Sequence, residues 1–184
     1  MKTNSYILYI ILTLILVSSV AFNLIKSGDS KLESVRNEFP TMSGKNLNRE
    51  EVTIPMDVND KPLLVILAFQ QYHQKTVDDI INQVESEIDR EKINIIETPI
   101  LEGSSKLFQI YLDGIMRGGI PDYDIRGRTI TIYGNKESIL NNLKINDSNV
   151  YWYLVEQDSS NILLNGMNIL DQNQLSKFKT LIEN

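Results

Sequence analysis

Leu63-Leu64-Val65-Ile66-Leu67-Ala68-Phe69, followed by Gln70-Gln71-Tyr72-His73-Gln74, decides how this chain folds. A short unbroken apolar run bounded by polar turn residues reads as a strand covered on both faces. Beyond the corner, Val77, Ile80, Ile81, Val84 and Ile88 fall on one helical stripe, with Asp78, Asp79, Glu85, Glu87 and Asp89 mostly off it. Thr76, three residues before Asp79, is the expected helix start, because its hydroxyl can accept from an orphan amide. The strand-like run Ile93 to Ile96 comes next and is expected to end at Thr98-Pro99. Strand, helix and strand in this order form a βαβ unit and predict a parallel pair. Functional groups of open α/β sheets gather at the carboxyl ends of such strands. The corner there holds no cysteine, no glycine-rich phosphate loop and no acidic pair.

Upstream, Val52-Thr53-Ile54-Pro55 reads as a short leading strand, and Asp57 to Asp60 as the turn into the central one. Downstream, Ser104 or Ser105 caps a helix carrying Leu107, Phe108, Tyr111, Leu112, Ile115 and Met116, and Gly118-Gly119 with Pro121 stops it. Thr129 to Tyr133 is β-branched and predicts a strand; Asn135 opens a short helix with Ile139, Leu140 and Leu143. Val150 to Val155 and Ile162 to Leu164 form an antiparallel hairpin. Asp171 with Gln174 three residues on is a capping box opening the last helix, whose Leu175, Phe178 and Ile182 face inward. The expected class is α/β, a mixed sheet flanked by helices on both faces.

The 184 residues suffice for one domain and an extension. Tyr6 to Ile25 is a 20-residue stretch without a charge, which as a helix matches the hydrocarbon thickness of a bilayer. Residues 1–26 are therefore expected to be a single-pass anchor, or a signal peptide if Ser19-Val20-Ala21 is cleaved, which would leave the chain secreted or periplasmic. Lys2 lies on one side of the span and Lys26, Lys31 and Arg36 on the other, so charge does not fix orientation. The expected placement of the domain is extracytoplasmic. Residues 27–48 read as a linker, broken by Gly28, Pro40 and Gly44, and residues 49–184 as the domain.

Outside residues 1–26, which contribute Lys2 and Lys26, 16 basic and 24 acidic side chains leave a net charge of −8. Such a surface repels phosphate backbones, which excludes nucleic acid as the expected partner. The absence of cysteine removes disulfides, thiolate metal sites and thiol chemistry together. The single histidine, His73, reads as a solvated loop residue and builds no metal site alone. No residue is assigned to catalysis, a cofactor or a metal.

This order of elements resembles the thioredoxin fold in its redoxin form, with an extra helix between the βαβ and ββα halves. That family carries Cys-x-x-Cys after the central strand, where a helix amino terminus stabilises a thiolate. Here the position holds Gln70 to Gln74, and Asp147-Ser148-Asn149 stands where the family has a cis-proline. A narrower stretch, Met116-Arg117-x-x-Ile120-Pro121, Arg128, Leu143-x-Ile145 and Tyr151-x-Tyr153-Leu154-Val155, is similar to the mitochondrial ATP synthase assembly factors of the ATP-ten family and their bacterial relatives. The resemblance implies a cysteine-poor thioredoxin fold and a membrane protein or complex as partner.

The candidate contact residues are Gln70, Gln71, Tyr72 and His73 at the corner, with Met116, Arg117, Ile120, Pro121 and Asp122 beyond the inserted helix. Arg117 has a competing structural role, satisfying carbonyls at the helix end or pairing with Asp122. Two functions follow: a redox-inactive, membrane-tethered binding or assembly module, or a cysteine-independent enzyme or small-ligand module using the corner with Arg117 and Asp122.

Overall fold

The computed structural model describes residues 37–103 and 105–183. The expected anchor, and the linker as far as Arg36, lie outside the described residues. The elements run β1 (Met42–Asn46), β2 (Glu51–Ile54), β3 (Leu63–Ala68), α1 (Gln74–Glu87), β4 (Asn94–Leu101), α2 (Lys106–Gly119), α3 (Tyr123–Arg128), β5 (Ile130–Tyr133), α4 (Lys136–Leu143), β6 (Tyr151–Val155), β7 (Ile162–Met167) and α5 (Gln172–Glu183). All seven strands join one sheet in the order β2-β1-β5-β4-β3-β6-β7. No helix among the described residues is long and apolar enough to cross a membrane.

The central run behaves as its composition requires. Leu63 to Leu67 are fully buried, because β3 lies between β4 and β6 with side chains packed on both faces. β3 pairs in parallel with β4 (Val65 opposite Ile96) and antiparallel with β6 (Val65 opposite Tyr153). One face packs Val65, Leu67, Ile100, Ile132 and Tyr153 with Phe39 and, from α4, Ile139. The other packs Leu64, Ile66 and Trp152 against Val77, Ile80 and Val84 of α1 and Leu175 and Phe178 of α5. The hairpin of β6 and β7 is present, with Leu154 opposite Leu164 and an irregularity beside Val155. The capping box forms too: Gln174 N donates to Asp171 Oδ1 at 2.8 Å, and Asp171 N to Gln174 Oε1 at 3.0 Å.

Four expectations are corrected. First, the folded unit begins at Asn37, inside the expected linker. Residues 42–46 form β1, and Phe39 is buried against Tyr153 with ring centroids 5.3 Å apart. Gly44 reads as a breaker, yet it serves a close approach: a Cβ there would lie 2.5 Å from the Thr131 carbonyl oxygen. Second, β4 runs through Pro99 to Leu101. Pro99 stands opposite Ala68, the last residue of β3, and the regular pairing with β5 starts at Ile100, so the missing amide falls at a ladder end. Third, Thr76 does not start α1. A 3₁₀ turn, Gln71–His73, runs straight into the helix and leaves Thr76 inside it. Fourth, a second helix, α3, follows α2 in the insertion. Asp122 caps it, its Oδ1 accepting from the amides of Asp124 at 2.8 Å and Ile125 at 3.0 Å.

Candidate functional site

The carboxyl end of β3 turns through Phe69, which is buried, and Gln70, which is extended, into the 3₁₀ turn. That turn divides its side chains. Gln71 is exposed and Tyr72 is 71% exposed, whereas His73 is only 3% exposed. The expectation of a solvated histidine is therefore corrected: the turn rolls the imidazole inward. Its Nδ1 accepts from the Phe69 amide at 3.2 Å while its own amide donates to the Gln70 carbonyl at 3.0 Å. An Nδ1 that accepts places the imidazole proton on Nε2, which is buried with no partner among the described residues. The Tyr72 ring closes over the imidazole edge-on, with centroids 4.7 Å apart.

Two other segments reach this corner. Asp147, in the loop before β6, accepts from Gln70 Nε2 at 3.4 Å and from Lys136 Nζ at 2.7 Å. The hydrogen bond and charge of Lys136 hold the Asp147 carboxyl below the usual carboxylate range. The loop that would carry a proline in a redoxin thus carries a carboxylate bridging the corner to the first residue of α4. On the α1 side, Gln74 Nε2 donates to Glu97 Oε2 at 3.4 Å, and the Thr129 hydroxyl donates to the other oxygen of that carboxylate. Glu97 is buried within β4. Sequence reading missed it, although an acidic residue inside Ile95-Ile96-Glu97-Thr98 is an anomaly of pattern worth following.

The second group of candidates stands apart from the first. Met116, Arg117 and Ile120 are half-buried, and Pro121 and Asp122 are exposed. Among the described residues no hydrogen bond or ion pair joins 116–122 to 70–73 or Arg117 to Asp122. The carbonyls of Ile120 and Pro121 are satisfied by Arg126 Nη1, at 3.2 and 3.1 Å, so the role considered for Arg117 belongs to Arg126. Amide hydrogen bonds, Ile125 first, hold the Asp122 carboxyl low, helped by the charges of Arg126 and Arg128. Arg128 in turn binds Glu85 at 2.7 Å, about 16 Å along the α1 axis from Gln74. Burial raises the Glu85 carboxyl, but hydrogen bonds from Arg90 and Arg128 outweigh it and leave the group below its usual range.

At the corner itself, Gln70, Gln71, Tyr72 and Asp147 present amides, a ring and a carboxylate at the surface. No cysteine thiol exists anywhere in the chain, so thiol–disulfide exchange has nothing to act with. No group of three or more His, Cys, Asp or Glu able to hold a metal occurs among the described residues.

No protein-family model matches the chain, and no curated protein matches it. Solved structures do. The exposed lipoprotein thioredoxin of Streptococcus pneumoniae superposes with a TM-score of 0.52 at 7% identity, over 79% of this chain and 100% of that one. BsSco, of the Sco family of cytochrome c oxidase assembly proteins, gives 0.52 at 14% identity over 79% and 94%. The C-terminal domain of a thiol-disulfide oxidoreductase from Bacteroides thetaiotaomicron gives 0.50 at 20% identity over 79% and 94%. At these identities the likeness is one of fold: the chain has a thioredoxin-like fold and lacks the cysteines of thiol chemistry. The similarity to the ATP-ten family rests on the residues quoted for it alone.

Proposed function

We propose that this chain is a membrane-tethered, redox-inactive thioredoxin-fold protein that serves as a chaperone-like binding or assembly module for a membrane protein or complex, with its domain on the extracytoplasmic side. The observation that carries the reading is the corner. Where a redoxin keeps a reactive group at a helix amino terminus, this chain has turned a histidine inward and tied it to its own backbone. What remains at the surface is a hydrogen-bonding and aromatic face, Gln70, Gln71 and Tyr72 beside Asp147, suited to contact rather than turnover. The uncharged stretch Tyr6 to Ile25 supplies the tether, and the ATP-ten resemblance supplies the class of client. Assembly is also the role of the Sco family to which one fold neighbour belongs.

Crosslinking in native membranes, followed by recovery of the full chain, tests this. A specific membrane protein is expected in the recovered material and is lost with the double substitution Gln71→Ala/Tyr72→Ala, whose side chains are exposed. Recovery of no enriched protein overturns it.

The unpartnered Nε2 of His73 favours a second reading, a small-ligand or enzymatic site at the corner. This reading is confined to the corner, because among the described residues no hydrogen bond or ion pair joins Arg117 or Asp122 to it. A small molecule that protects the Phe69 and His73 amides from exchange in the purified chain, and fails to do so after His73→Gln, would support that reading over the first.

A further inference from the structure

α2 departs from the rule that an amphipathic helix hides its apolar face. None of its residues is buried. Leu107 is 81% exposed, Ile110 60% and Tyr111 63%, and Phe108 and Ile115 are about half exposed. The side toward the sheet carries Leu112, Asp113 and Met116, all half-buried. It is held there by Tyr133, whose hydroxyl donates to Asp113 Oδ1 at 2.6 Å. A Cβ added at Gly114 or Gly118 would meet nothing within 4 Å, so the outer side is an open ridge rather than a groove. Its ends carry Lys106 and Arg117, cations whose stems can lie along an apolar surface with their heads in water.

We infer that the outer face of α2 docks on the surface of a lipid bilayer, with Leu107, Phe108, Tyr111 and Ile115 entering the headgroup and acyl boundary. This rests on the tethered reading above. Residues 26–36, between the uncharged stretch and the first described residue, reach about 37 Å when extended. A folded unit of the length of residues 37–184 is about 38 Å across, so a tether of this reach keeps it within about one diameter of the lipid. The face with surplus apolar surface is the one selected, because tethering makes its contact with the bilayer intramolecular in effect. Anionic lipid is not required: the domain is acidic overall, and α2 contributes only Lys106, Arg117 and Asp113. A second copy of the chain is the competing occupant; the bilayer is favoured because a tethered domain meets it without needing a second chain.

The cysteine-free chain allows unambiguous labelling. Full-length protein with Leu107→Cys, Tyr111→Cys, Leu14→Cys or Lys177→Cys is coupled to a nitroxide and reconstituted in phosphatidylcholine vesicles. Its collision rates with oxygen and with a water-soluble nickel chelate are then compared. Blue-shifted emission from buried Trp152 verifies the fold of each variant. Labels at 107 and 111 are expected to show an oxygen-to-nickel ratio about five-fold above the label at 177, which faces water on α5. A ratio equal to that at 177 overturns the docking. If the label at 14 is then embedded, the tether survives without it; if 14 is also in water, both readings fall. Spin–spin broadening at 111 that grows with protein concentration and persists in detergent assigns the face to a second copy and overturns the bilayer contact.

Discussion

The imidazole of His73 accepts the amide proton of Phe69 across four residues, Nδ1 to N 3.2 Å. Both residues are buried, so the bond satisfies a donor that water cannot reach. His73→Ala leaves that amide orphaned and opens a void beneath Tyr72. The expected loss is about 2–4 kcal/mol in urea unfolding. An unchanged midpoint would show that the corner is not held by this bond.

Two pairs of glycines are expected to respond in opposite directions. A methyl group at Gly44 would press on the Thr131 carbonyl, and one at Gly166 would overlap the fully buried Trp152 indole. Gly44→Ala and Gly166→Ala should each cost about 3 kcal/mol or more. Gly114 and Gly118 lie within α2 with open space around them, so alanine there should stabilise by about 0.5–1 kcal/mol each. Thermal melts of the four variants decide the matter.

Asp147 makes stability depend on acidity. Lys136 holds its carboxyl below the usual range, so the folded chain binds that proton less tightly than the unfolded chain does. The contribution is complete above about pH 4 and disappears as pH falls through the folded value. Asp147→Asn should therefore be less stable than the parent at neutral pH and approach it in acid. Denaturant midpoints from pH 7 down to pH 2 measure this.

Tyr133 and Tyr153 should ionise late in an alkaline titration. Burial, with a contribution from Tyr151, pushes Tyr153 up to about 12. Burial followed by the Asp113 hydrogen bond pushes Tyr133 well above its ordinary value. The folded chain holds both protons more tightly, so the associated stability is present below about pH 10 and is lost as pH rises through the folded values. In an absorbance titration, Tyr153→Phe should remove a late step.

What could be read from sequence follows how densely each element is buried. β3 and β6 declare themselves as unbroken apolar runs covered on both faces, and α1 because its apolar residues repeat with the period of a face in contact with a core. β1 does not, since Met42-Ser43-Gly44-Lys45-Asn46 buries only its ends and needs a glycine that looks like punctuation. α3 was missed because six residues with no buried member leave no periodic signal; only Asp122 marks its start. At the corner, the loss of sulfur was plain, but the direction of His73 was not. A 3₁₀ turn and a helix beginning three residues apart send the same side chain to opposite sides. The bridge from Gln70 through Asp147 to Lys136 joins three distant segments, and only the folded sheet brings them together.

Asn37 and Phe39 carry a mechanical consequence. The Ile162 amide donates to the Asn37 carbonyl at 2.6 Å and the Phe39 amide to the Ser160 carbonyl at 2.7 Å, in antiparallel pairing at the start of β7. A pull on Asn37 directed along its own strand would load these bonds together rather than one after another. The buried Phe39 ring lies immediately behind them as a wedge. A strand end fastened in this way can be pulled hard before the sheet it holds begins to peel.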